Sequence, residues 1–120
     1  MAKDFKTLLR MRKWSLDDKR RELGEMMGVL ENLISEKEAL AQALIAEQKI
    51  ASENPELVGF AYASFANAVI AEREALDGHI AEQERKIDAF REEVADAFKD
   101  MKTVEIAERN RVEAERAEED

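Results

Sequence analysis

The sequence predicts an all-α fold: an antiparallel two-helix coiled-coil hairpin with a left-handed supercoil. Three observations predict it. Ala, Glu, Lys, Leu and Arg dominate a chain of 120 residues in which 39% are charged and 6% aromatic, the profile of long helices rather than of a mixed globular core. Apolar residues recur at alternating spacings of four and three on both sides of the middle, the mark of an a/d heptad repeat. The single proline, Pro55, separates the two repeats.

Helix one is expected over about 4–51. Leu9, Leu16, Leu23, Leu30 and Leu44 sit in one heptad frame, with Lys37 at the missing step, and Phe5, Met26, Leu33 and Leu40 fall on the intervening positions. At the rise of an α-helix this element is about 70 Å long. Met27, Ile34 and Ala41 widen the stripe on one flank, as an intramolecular hairpin requires. Arg12, Lys19, Lys37 and Glu47 occupy core-type positions, where their stems line the seam while the charged heads reach water.

The stretch Ser52-Glu53-Asn54-Pro55-Glu56 stops that helix and starts another. Proline lacks a backbone N–H and clashes with the preceding turn, so it does not continue a helix. Asn54 suits an N-cap and Pro55 a first helical position, so the chain is expected to double back here. With Gly59 close by, the irregular tip is expected over 52–60. Helix two then runs over about 61–112. Tyr62, Ala66, Val69, Leu76, Ile80, Gln83, Ile87, Phe90, Val94, Ala97, Met101 and Val104 hold its frame, with Arg73 as an interruption. Sustained seven-residue spacing imposes the left-handed supercoil. Two registers fit. One puts Leu30 by Leu76, Leu16 by Phe90 and Phe5 by Met101; the other puts Leu33 by Ile80 and Leu23 by Phe90. Residues 113–120 have little to bury and are expected to fray. All of this makes one coiled-coil domain, 1–120.

Composition excludes several classes of function. With no cysteine there is neither disulfide nor thiolate chemistry. No apolar run reaches the length of a membrane span. The opening Met-Ala-Lys-Asp-Phe-Lys lacks the apolar core and cleavage site of a signal peptide, so a cytoplasmic location is expected. The net charge of −9 is uneven: residues 1–21 hold eight bases and three acids, the remainder 11 bases and 25 acids. A basic segment of that density suits an acidic partner surface. Nucleic acid is not expected, because the rest of the chain repels phosphates.

Catalytic constellations are absent from the pattern. His79 is the only histidine and has no second imidazole or thiolate with which to share a metal. Acidic pairs such as Glu92-Glu93 and Glu118-Glu119 lie on solvated faces, without the burial that raises a carboxyl pKa. The glycines at 24, 28, 59 and 78 form no phosphate loop. A two-helix seam is too thin to enclose a small substrate. The expectation is a protein that is not an enzyme and takes no cofactor or metal.

Two features suit partner binding instead. Leu8, Met11 and Trp14 form a second apolar strip on helix one, off the seam and interleaved with Lys6, Arg10 and Lys13. Either Trp14 anchors an interface, or it lies flat against the seam edge or the end of helix two. Around the break, Leu57, Val58, Phe60, Tyr62, Phe65, Val69 and Ile70 exceed what a two-helix tip can bury. Part of this cluster is expected to meet a partner, unless Leu57 and Phe60 fold back to cap the hairpin.

Three stretches carry a family resemblance. Phe5-Lys-Thr-Leu-Leu-Arg-Met-Arg-Lys-Trp14-Ser-Leu-Asp-Asp-Lys-Arg-Arg-Glu-Leu23 resembles the start of the FliJ family, the soluble coiled-coil component of the flagellar type III export apparatus, most closely in its alphaproteobacterial forms. Phe60-Ala-Tyr62-Ala-Ser-Phe65 is similar to the family's aromatic start of helix two. Phe98-Lys-Asp-Met-Lys-Thr-Val104-Glu-Ile-Ala-Glu-Arg109 resembles its C-terminal segment. The resemblance implies a stalk-like hairpin that enters the hexameric export ATPase, binds the cytoplasmic domain of the export gate and recycles export chaperones. It implies a cytoplasmic protein, peripheral to the membrane-bound apparatus, that neither inserts into lipid nor binds nucleic acid. The ATPase-facing residues it implies are Leu8, Arg10, Met11, Lys13 and Trp14. The gate-facing residues at the tip are Leu44, Phe60, Tyr62, Phe65 and Val69. Where family members carry aromatics further along helix one, this chain has Glu47 and Ala51.

Two other classes fit parts of the pattern. A hairpin factor of the polymerase channel would hold Mg²⁺ at Glu53 and Glu56, but it predicts a following globular domain and a tip free of aromatics. A generic structural coiled coil would pair its helices between chains as a dimer.

Overall fold

The computed structural model describes residues 2–119, with the side chains of residues 2–4 and 57–59 outside that description. Every described residue except Asn54 is helical. Helix α1 spans Ala2–Glu53 and helix α2 spans Pro55–Glu119, and the two pack against each other as a hairpin. The all-α two-helix hairpin expected from the heptads is the fold.

The break is narrower than the expected 52–60, and α2 begins at Pro55 rather than near 61. The backbone N–H of Asn54 still donates to the Ile50 carbonyl at 3.2 Å, so the hydrogen-bond ladder of α1 persists to the residue before the proline. Pro55 then takes the first position of α2, where a missing N–H costs nothing. The Ser52 hydroxyl donates to the Lys49 carbonyl at 2.8 Å, a local side-chain-to-backbone bond within the last turn of α1. Helix α2 likewise extends beyond the expected 112, to Glu119. Arg111 accounts for part of this: it pairs with Glu108 one turn before it and with Glu115 one turn after, spacings that face each other on a helix.

Contacts divide the chain into two compact units, Met1–Glu25 with Ile87–Asp120, and Met26–Lys86. In the first, Leu16, Ala97 and Met101 form a buried cluster against which Leu9 and Val94 pack. Ile87 and Phe90 are also buried. The half-buried Lys19 places its ammonium 5.7 Å from the centroid of the Phe90 ring, so this seam lysine gains a cation–π contact while reaching water.

In the second unit Val69 and Leu76 are buried. Lys37 pairs across the seam with Asp77, and the Gln83 side-chain amide donates to the Met26 carbonyl at 3.0 Å. Arg73 remains an interruption: its Nε is buried and has no hydrogen-bond partner among the described residues.

These contacts decide the register. Leu16 packs on Ala97 and Met101 rather than opposite Phe90, and Lys37 reaches Asp77. Both fit the pairing in which Leu33 faces Ile80 and Leu23 faces Phe90. The reason lies at the reversal. Ala51 and Tyr62 line one cavity, so the first turn of α2 falls between the paired segments, and seam packing starts a heptad later than a tight loop allows.

Candidate partner-binding surfaces

In the first unit the strip Leu8, Met11 and Trp14 is built by α1 alone. Leu9 and Leu16 turn the heptad face inward, which leaves positions 11 and 14 on the far side of the helix. Trp14 is 70% exposed and Met11 62%, while Leu8 is half-buried. Trp14 therefore does not lie flat on the seam. Arg10 and Lys13 are exposed beside it.

Part of the charge of the basic segment, for which an acidic partner is expected, also faces acids of α2. The Glu105 carboxyl is held below the ordinary glutamate value, first by the hydrogen bond from Lys102 and then by attraction to Lys102, Lys13 and Arg109. Glu108 is lowered in the same way, first by its hydrogen bond from Arg111 and then by the charges of Arg111 and Lys6. A groove of about 200 Å³ on one side of the seam sets Arg12 and Lys19 against Glu93, Asp96 and Asp100. The sequence hid this complementarity, because α1 and α2 meet here from opposite ends of the chain.

In the second unit the tip exposes a different surface. Phe60 is 91% exposed. Tyr62 and Phe65 are half-buried and, with Ile50 and Ala51, line a cavity of about 200 Å³. Leu44 is half-buried in the seam. Val69 is a correction: at 3% exposure it belongs to the core, because position 69 falls on the heptad seam, so it supports the surface from beneath and does not form it. The side chains of Leu57 and Val58 lie outside the described residues. Ile45, Ile50 and Ile70 are exposed near the tip. The first two were missed, and their signal was an isoleucine outside the a and d positions of α1.

His79, Glu92, Glu93, Glu118 and Glu119 are exposed, as are Glu53 and Glu56. Among the described residues no group of three or more His, Cys, Asp or Glu is placed to hold a metal ion, and no helix is long and apolar enough to cross a membrane. Comparison with protein-family models, with curated proteins and with solved structures finds no match to this chain.

Proposed function

We propose that this chain is a non-enzymatic, stalk-like component of the flagellar type III protein export apparatus, serving flagellum assembly and motility from the cytoplasmic side of the membrane. It acts by contact. The basic, Trp14-bearing segment engages the export ATPase hexamer, and the aromatic tip engages the cytoplasmic domain of the export gate and the export chaperones. The observation that carries this reading is the surplus of exposed apolar side chains in two separate places. A two-helix hairpin needs neither the 70% exposed Trp14 nor the 91% exposed Phe60 for its own packing, and contiguous exposed apolar groups mark interaction sites. The likeness of three stretches to the FliJ family supplies the identity of the partners.

The test is binding of the purified chain to the cognate export ATPase and, separately, to the gate's cytoplasmic domain. Trp14→Ala is expected to weaken only the first and Phe65→Ala only the second. Binding to neither partner removes the proposal.

A further inference from the structure

A second groove in the Met26–Lys86 unit belongs to neither surface above. Leu40 and Leu76 form its floor, Ala39 and Ala43 one wall, and its volume is about 380 Å³, within the range of sites that take a bulky group. Its only charged lining residues are Glu36 and Glu72. Ala39 and Ala43 lie one turn apart, and their small side chains let another helix approach closely. The unit as a whole holds 11 acids and five bases, a balance of −6.

The chain also carries the complement of this groove. The strip Leu8, Met11 and Trp14 is apolar, with Met11 and Trp14 strongly exposed and Leu8 half-buried, and is set among Lys6, Arg10 and Lys13, in a segment of residues 1–21 with eight bases against three acids. Pairing groove with groove or strip with strip brings like charges together. Pairing strip with groove seats apolar groups on Leu40 and Leu76 and sets bases against Glu36 and Glu72. We propose that a second copy of this chain docks its Trp14 strip in the Ala39–Ala43 groove. The contact is heterologous, joining unlike patches of two copies. Because the strip that docks is the one assigned to the ATPase, self-association withholds it from that partner. The inference itself requires no export component.

The experiment uses the chain alone. Trp14 is the only tryptophan, so its emission reports docking. Two exposed substitutions separate the halves of the contact: Trp14→Ala removes the strip, and Ala43→Lys puts a positive charge in the groove. Circular dichroism confirms that both variants stay helical. The expected result is that the wild-type chain self-associates in sedimentation runs between about 5 and about 500 µM, with a blue shift of Trp14 emission. Each variant alone weakens that association at least about tenfold. Mixing the two variants restores one contact, and adding the tryptophan-free Trp14→Ala chain to Ala43→Lys shifts the emission of the latter to the blue. Raising the salt reverses the shift. A wild-type chain that stays monomeric throughout overturns the proposal. So does association that survives in both variants, or a mixture in which the emission does not move.

Discussion

Gln83 donates its side-chain amide to the backbone carbonyl of Met26 across the seam, at 3.0 Å. Gln83 occupies a core heptad position, and the half-buried amide finds its acceptor on the helix backbone itself. The bond satisfies an amide that, left unpaired in the seam, would cost about 1–3 kcal/mol. Backbone carbonyls recur at every heptad, so the register is fixed instead by the cross-seam contacts of Leu16 and Lys37. Because the chain has no cysteine, the register is open to a direct test. Oxidation of the double variant Leu33→Cys/Ile80→Cys is expected to close a disulfide, while Leu30→Cys/Leu76→Cys stays reduced, since cysteines a heptad out of register exceed the reach of the bond. Crosslinking of the second pair in preference to the first contradicts the register.

Arg73 lies at a seam position with its Nε buried and unpartnered among the described residues. A buried donor without an acceptor destabilises, and an apolar side chain of suitable volume removes the penalty. Arg73→Leu is expected to raise unfolding stability by about 1–2 kcal/mol in urea titrations. A loss of stability contradicts this account of the interruption.

The tip separates packing from binding. Val69 is buried, and Val69→Ala removes two methyl groups from the seam, for an expected loss of about 1.5–3 kcal/mol. Phe60 is almost fully exposed, and Phe60→Ala is expected to change stability by less than about 0.5 kcal/mol. Chemical denaturation measures both. In the functional reading, Phe60→Ala nonetheless weakens binding to the gate domain.

Glu105 and Glu108 both titrate below the ordinary glutamate value of 4.5. A carboxyl whose folded pKa is depressed stabilises the fold fully above its unfolded value, and that contribution disappears as pH falls through the folded value. The chain is therefore expected to lose stability below about pH 4.5. Glu105→Gln/Glu108→Gln is expected to show a shallower loss when denaturation midpoints at pH 7 and pH 3.5 are compared. Equal slopes in the two proteins contradict the assignment.

Much of the fold was legible because heptads are redundant: Leu9, Leu16, Leu23 and Leu30 each repeat the same instruction, as do Ile80, Ile87 and Val94. The break was legible as a place but not as a length. Asn54 and Pro55 announce a stop and a start, whereas the persistence of helix on both sides depends on backbone hydrogen bonds that no residue type specifies. The register was not legible, since both pairings satisfy the same apolar positions, and only the cross-seam contacts of Leu16 and Lys37 distinguish them. The strip around Trp14 was visible as residues off the heptad. Its outward orientation rests on the exposure of Met11 and Trp14, and Val69, which the family likeness places at the surface, is buried in the seam. The attraction of Lys6 and Lys13 to acids of α2 was hidden because it joins segments about a hundred residues apart in the chain.

The central claim is that the Trp14-bearing segment acts on the export ATPase by contact. The most direct measurement is the rate of ATP hydrolysis by the purified cognate ATPase as this chain is titrated in. The account predicts no hydrolysis by the chain alone, a rise in rate when the wild-type chain is added, and a markedly smaller rise with Trp14→Ala. A rate that does not change with the wild-type chain, under conditions where the ATPase is active, contradicts it.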